Sequence, residues 1–234
     1  VFNGFEGLIR SMATAFDADL VITPREGVVF PVERIDTAAI GQLQGIEGCC
    51  AVVEHEALVG YGESRAMVTV RGVEDHYGDL FPIREAMVTG EYVTRLGDYD
   101  KAVIGQGLSY RLGLRSPVGA PLRLYALRQN SFSSLLPIDG YTMRELPLSG
   151  TFSLDAESEE RYLLTSIRLA RELFGMEQGA TALLLKCGPE GSSQRLKAQV
   201  QEAVGEQFEV RTRYELRQTF YDIMTYEKWG IFFI

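Results

Sequence analysis

An apolar strand, a capped helix and a second apolar strand recur at both ends of this chain, and the stretch between them, residues 75 to 178, is built differently. At the front, Leu20-Val-Ile-Thr23 reads as a short buried strand closed by Pro24. Asp36 then caps a helix running through Ile40 and Leu43, and Cys50 to Leu58 reads as the next strand. At the back, Ala180 to Cys187 is an apolar strand, Ser192 or Ser193 caps a helix carrying Leu196, Val200 and Val204, and Phe208 to Arg213 closes the unit. Two β-α-β units so far apart in sequence can complete one sheet only if the first domain is discontinuous. They share a pattern of elements and no sequence repeat.

The flanks are apolar. Phe5, Leu8, Ile9, Met12 and Phe16 place one stripe on an opening helix, which Asp17-Ala-Asp19 ends. From Tyr214 a last helix aligns Leu216, Phe220, Ile223 and Met224, then runs through Glu227-Lys228-Trp229 into Gly-Ile-Phe-Phe-Ile234. A polar collar, an indole and then hydrocarbon is how a transmembrane helix enters the interface. The alternative is a C-terminal helix whose last turn packs in a core. The sequence starts at Val1 without a Met and reads as an excerpt cut at an apolar segment. Since a spanning helix needs about 20 apolar residues, the segment itself is expected to be soluble.

Between the units, short strands are expected at Lys101 to Ile104, Leu122 to Leu127 and Leu146 to Phe152. Before them, Ala66 to Val73 pairs with the preceding strand across the turn Gly60-Tyr-Gly62. Two short helices fit: Gly107 to Leu112, stopped by Gly113, and one from Thr165 to Gly175. Gln129 to Arg144 is unusual, a long segment between strands that carries Phe132, Leu135, Leu136, Pro137, Ile138 and Tyr141. Hairpin loops usually have two to five residues. A long apolar one either covers a core edge or offers a binding surface.

Chemistry is sparse. With 46% hydrophobic and 24% charged residues the chain has globular composition, and its net charge of −9 without a basic stripe excludes a nucleic-acid partner. Gly105-Gln-Gly107 follows a strand, as a dinucleotide loop does, but Tyr110 stands where the third glycine belongs, so a tight turn is the better reading. No Gly-Lys-Ser or Gly-Lys-Thr forms a Walker loop. His55 and His76 are the only imidazoles, and neither sits in a metalloprotease motif or beside a nucleophile elbow. Glu74-Asp75-His76 is at most a loose metal handle. Cys49, Cys50 and Cys187 form neither a disulfide framework nor a zinc motif and read as buried small hydrophobes. The acidic pairs Asp17 with Asp19 and Glu159 with Glu160 take structural roles at element ends. No catalytic residue, metal or cofactor is expected.

Taken in order, Val1-Phe-Asn-Gly-Phe-Glu6, Ala102-Val-Ile-Gly-Gln-Gly-Leu-Ser109 with Leu112-Gly113, Gly150-Thr-Phe152 and Met224-Thr-Tyr-Glu-Lys-Trp229 resemble one family. They look like the extracytoplasmic domain of lipoprotein-releasing, Lol-type ABC-transporter permeases, in the superfamily of MacB-like exporters and FtsX-like permeases. The resemblance implies an α+β fold of two subdomains. A membrane-proximal, Porter-like β-α-β subdomain would comprise residues 1 to 74 and 179 to 234, and a β-rich, Sabre-like one would be inserted at 75 to 178. It also implies a periplasmic segment of an inner-membrane protein, without enzymatic activity of its own. A cytoplasmic ATPase would drive lipoprotein release, alongside a second permease copy or paralogue, and a periplasmic lipoprotein chaperone would take the cargo. By position, Phe132, Leu135, Leu136, Pro137 and Tyr141, with Arg144 as a rim charge, are candidates for the hook that recruits such a chaperone. Phe2, Phe5, Phe220, Ile223, Met224 and Trp229 are candidates for the passage and coupling near the membrane. The competing readings are a MacB-like efflux component, an FtsX-like regulator of cell-wall hydrolases, and a free-standing ligand-binding domain or enzyme.

Overall fold

Residues 18–127, 141–176, 178–189 and 194–216 are described by the computed structural model of the chain. Strand β1 (Leu20–Pro24) leads through β2 (Phe30–Pro31) and a 3-10 turn at Val32–Arg34 into helix α1 (Thr37–Gly41) and strand β3 (Ile46–Tyr61). The Asp36 carboxylate caps α1 by accepting the Ala39 N–H at 2.9 Å. Gly62, at a φ of 55°, starts the two-residue turn into β4 (Ser64–Val73), a left-handed position that suits glycine. Next come α2 (Tyr77–Leu80), β5 (Met87–Gly90), β6 (Arg95–Leu96), β7 (Tyr99–Asp100), β8 (Ala102–Gly105), α3 (Gln106–Arg111), β9 (Pro121–Leu127) and β10 (Tyr141–Phe152). Helix α4 (Ala156–Arg161), β11 (Tyr162–Ser166), α5 (Ile167–Phe174), β12 (Gly179–Ala180), β13 (Ala182–Cys187), α6 (Gln194–Val204) and β14 (Phe208–Thr212) complete the order.

At one end, β14, β1, β13 and β3 lie side by side in that order, every neighbour antiparallel. With α1 between β1 and β3 and α6 between β13 and β14, this is the split β-α-β arrangement of a ferredoxin-like fold. Both helices cover one face. Ile40 of α1 and Leu196 and Val200 of α6 share a core with Leu20, Ile22, Ala51, Leu183 and Leu185.

Beyond that sheet the strand pairings close on themselves. β3 pairs with β4, β4 with β11, β11 with β8, β8 with β10, β10 with β9, and β9 returns to β3 through Leu58↔Tyr125 and Gly60↔Arg123. The result is a ring of six strands. Small barrels are filled by their own side chains, and here Ala57, Val59, Val68, Val70, Ile104, Leu122, Leu124, Leu146, Leu148 and Leu163 form one buried cluster. Strand β3 belongs to both ends: its first half pairs with β13, and its second half takes β9 on the same edge. Accordingly Cys50, Ala51, Val52 and Val53 are all buried, because both faces of the strand are covered there.

Close approaches explain two glycines. A Cβ on Gly72 would stand 2.2 Å from the Ala170 Cβ, so glycine lets α5 lie on β4. A Cβ on Gly105 would stand 2.1 Å from the Glu159 carbonyl oxygen. Helix α4 thus occupies the space a pyrophosphate would need, and Gly105-Gln-Gly107 is a packing turn.

Several elements differ from their sequence outlines. The strand expected over Cys50 to Leu58 extends from Ile46 to Tyr61, and the one expected from Leu146 starts at Tyr141. Pairing with two successive neighbours stabilises each beyond its apolar run. The helix expected from Thr165 starts at Ile167, where the Ser166 hydroxyl accepts the Leu169 N–H at 3.1 Å. Tyr162–Ser166 is instead strand β11, hydrogen-bonded in parallel to β4 and antiparallel to β8.

Candidate functional site

The first and last described segments meet at the base of the four-stranded sheet. Asp19 precedes β1, and its carboxylate accepts hydrogen bonds from Arg213 Nη2 at 2.7 Å and from the Cys187 N–H at 2.8 Å, with Lys186 Nζ at 3.6 Å. The backbone repeats the link: the Asp19 N–H donates to Leu185, and the Arg213 N–H donates to the Asp19 carbonyl. Asp19 therefore has a structural role, as expected, though as a clamp between strands rather than at a helix end.

A helix starts at 213–216 directly from β14. Thr212 and Glu215 form a capping box, the Glu215 N–H donating to Thr212 Oγ1 at 3.2 Å and the Thr212 N–H donating to Glu215 Oε2 at 2.8 Å. Lys197 of α6 reaches Glu215 Oε1 at 2.6 Å. Burial pushes the Glu215 carboxyl up, but the bonds from Lys197 and Thr212 outweigh it and hold the group below the usual carboxylate value. The passage candidates Phe2, Phe5, Phe220, Ile223, Met224 and Trp229 lie outside the described residues.

Of the hook candidates, Phe132, Leu135, Leu136 and Pro137 also lie outside the described residues, between Leu127 and Tyr141, which pair across β9 and β10. Tyr141 is exposed, its ring 6.4 Å from that of Tyr125. Arg144 falls on the other face of β10, where it pairs with Glu172 of α5. The strand thus separates Tyr141 from Arg144, whose side chain stays 43% exposed beside Glu172.

Sequence reading missed an apolar row beside Tyr141. Met67, Leu58, Tyr125 and Met143 stand in register across β4, β3, β9 and β10, with Met67 56% and Met143 46% exposed. Their signal was there, as apolar residues at the outward positions of alternating strands, but only the pairing aligns them.

A buried charge sits where β3 and β4 pass from the sheet into the barrel. Arg71 is 6% exposed; it pairs through Nε with Glu54, donates from Nη1 to the Tyr77 hydroxyl at 3.1 Å, and covers the Tyr162 ring at 4.4 Å. Burial disfavours the guanidinium charge, yet Glu54 and the tyrosines reverse that and keep it firmly protonated. Burial raises the Tyr77 hydroxyl to about 12 despite the nearby Arg71. Alongside, Arg161 donates to Thr69 Oγ1 at 3.0 Å and Thr69 donates to Glu56 at 2.8 Å. An arginine inside the apolar run Ala66 to Val73 was the available clue.

The cysteines are free thiols. Cys49 and Cys50, adjacent on β3, face opposite sides of the sheet, one toward the helices and the other toward Tyr77 and Phe81. His55 stacks on Phe174 at 4.8 Å between centroids and serves packing. Among the described residues, Cys50, Glu74 and His76 bring their potential ligand atoms within 4.8 Å of one another. No described helix is long and apolar enough to cross a membrane.

No family model and no curated protein matches the chain. Solved structures do. The periplasmic region of MacB from Actinobacillus actinomycetemcomitans superposes with a TM-score of 0.55 at 10% identity, over 90% of this chain and 95% of that one. The extracellular domain of the noncanonic ABC-type transporter YknZ from Gram-positive bacteria gives a TM-score of 0.52 at 12% identity, over 83% of this chain and 99% of that one. At such identities the likeness is one of fold, and the fold is that of these extracytoplasmic transporter domains.

Proposed function

We propose that this chain is the extracytoplasmic arm of an ABC-transporter permease, a mechanical element that makes and breaks no bonds itself. The observation that carries this reading is the Asp19–Arg213 clamp. It brings the polypeptide into the body and out of it at the same point, so that two helices from one bilayer can hold it. The likeness to the periplasmic region of MacB and the extracellular domain of YknZ supports an extracytoplasmic placement, which we read as the periplasmic side of the inner membrane.

The mechanics follow from β3. Its 16 residues, at about 3.3 Å each, span up to roughly 50 Å and run unbroken from the clamped sheet into the barrel. Packed elements move as bodies, so rotation of the base carries the barrel with it. A cytoplasmic ATPase would supply the work, and a second permease copy or paralogue would supply the opposing arm.

For the cargo we favour lipoproteins. The resemblance in sequence to Lol-type permeases supports this, and so does the apolar row Met67, Leu58, Tyr125 and Met143 next to the exposed Tyr141. Sheltering an acyl chain is worth about 0.8 kcal/mol per CH₂, which suits apolar surfaces of this kind. A periplasmic lipoprotein chaperone is then the receiving partner, and Phe2, Phe5, Phe220, Ile223 and Met224 are passage candidates. MacB-like efflux is a second reading, favoured by the fold match over 90% of the chain. Depleting the full-length protein in its host separates the two. Mature lipoproteins stranded in the inner membrane support lipoprotein release, whereas normal sorting with lost export of small molecules supports efflux. Labelling tests placement: a cysteine introduced at the exposed Tyr110 should react with a membrane-impermeant maleimide in cells whose inner membrane is intact. Reaction only after lysis would overturn the reading.

A further inference from the structure

The chain has two histidines and three cysteines, and the fold brings one of each together with a glutamate. We infer that Cys50, Glu74 and His76 form a zinc-binding site between strand β3 and the link that follows β4. This inference is independent of the transport reading.

Strand register creates the cluster. Val52 pairs with Val73, so the chain leaves β4 beside the segment of β3 that holds Cys50. Glu74 Oε2 accepts the Ala51 N–H at 2.7 Å and stands 3.9 Å from His76 Nε2, which fixes the carboxylate between β3 and the imidazole. His76 Nε2 lies 2.8 Å from the Cys49 carbonyl oxygen, so the imidazole is held over the same strand.

Sulfur, imidazole nitrogen and carboxylate oxygen are the three donor types that zinc takes, usually in a tetrahedron at about 2.0 to 2.3 Å. Neither calcium nor magnesium accepts a thiolate, because both prefer oxygen throughout. Ligand atoms around one zinc stand roughly 3 to 4 Å apart by that geometry, so a spread within 4.8 Å needs only small side-chain rotations. Access is also suitable. The Cys50 thiol is buried while half of the His76 side chain is exposed, giving an anchored sulfur with solvent on the opposite side. On the buried side, the cluster of side chains that contains Cys50 also contains Tyr92, whose buried hydroxyl has no hydrogen-bond partner among the described residues. Three protein ligands leave a fourth position for water or a further donor.

As the metal binds, Cys50 gives its thiol proton to the buffer and the Zn–S bond forms. Nothing is oxidised or reduced. The bound ion would fasten the Glu74–His76 link to β3, next to the Arg71 network and just before α2.

The test is a titration of the chelator-treated, reduced chain with Zn²⁺ by calorimetry, and with Co²⁺ by absorption. One zinc per chain is expected, with a thiolate-to-cobalt charge-transfer band. Cys50→Ser and His76→Ala should each weaken Zn²⁺ binding by on the order of 100-fold. Cys49→Ser and Cys187→Ser should leave it unchanged. Absence of stoichiometric binding, or unaltered binding in the Cys50 variant, would overturn the site. If Cys50→Ser fails to fold, the wild-type cobalt spectrum decides: tetrahedral bands without the thiolate band overturn the proposal as well.

Discussion

Asp19 and Arg213 are 194 positions apart in sequence, yet their side chains meet at 2.7 Å, one just before the first strand of the sheet and the other just after the last. The same carboxylate holds the Cys187 N–H, so one side chain ties three strand ends together at the base. Asp19→Ala removes a charge-assisted hydrogen bond and leaves Arg213 without this acceptor in a largely covered position. Bonds to charged groups contribute about 1.5 to 3 kcal/mol. Because the pair is 16% and 24% exposed at its side chains, the loss should lie toward the lower end of that range, measured by urea denaturation. If the proposed transport reading holds, the variant in the full-length protein should leave ATP hydrolysis intact while transport falls, since the ends of the arm would no longer move together.

Arg71 should matter more for stability. Arg71→Ala leaves the partly covered Glu54 without its partner and deprives the Tyr77 hydroxyl of a donor. Breaking a buried ion pair from one side costs about 3 to 5 kcal/mol. The double change Arg71→Met with Glu54→Gln should recover part of that loss, because no uncompensated charge remains. A double-mutant cycle in urea reads the coupling, and strict additivity would mean that the two side chains act independently.

What was legible in the sequence follows from what is local. The unit β1-α1-β3 could be read because Leu20-Val-Ile22 is a continuous apolar run and Asp36 is a capping side chain that declares a helix start. Strand β11 could not be read as a strand: Tyr162-Leu-Leu-Thr-Ser166 lies directly between two helices and is buried along nearly its whole length, so no alternation marks it. Barrel closure depends on Leu58 meeting Tyr125, a long-range register that neither segment encodes alone. The same holds for Cys50, Glu74 and His76, which read as a buried thiol and, separately, at most a loose metal handle until the β3–β4 pairing brought them together. Tyr141 and Arg144 were grouped by their closeness in sequence, and the period of two along a strand puts them on opposite faces.

The capping box at the start of the last helix should make that helix sensitive to acid. Glu215 in the folded chain titrates below its ordinary value, so the ionised form favours the folded state. Its contribution is full above the unfolded carboxylate value, near 4.5, and is lost as pH falls through the lower folded value. The stability difference between the wild type and Glu215→Gln should therefore be constant from pH 7 to about pH 5 and shrink below about pH 4. A difference that grew on acidification would show that Lys197 and Thr212 do not favour the carboxylate.

Because β3 is shared, the barrel and the four-stranded sheet should unfold together. Leu124 fills the barrel and Leu185 the helix-covered core, both fully buried and in separate clusters. Truncation of a buried leucine to alanine typically costs about 2 to 5 kcal/mol. Were the two ends independent, Leu124→Ala would split the transition and leave the sheet's midpoint in place. The shared strand predicts otherwise: Leu124→Ala and Leu185→Ala should each lower the midpoint of one transition, with far-ultraviolet dichroism and tyrosine fluorescence remaining superimposable. Two separated transitions in either variant would mean that β3 transmits neither stability nor motion between the ends, and the lever reading would fail with it.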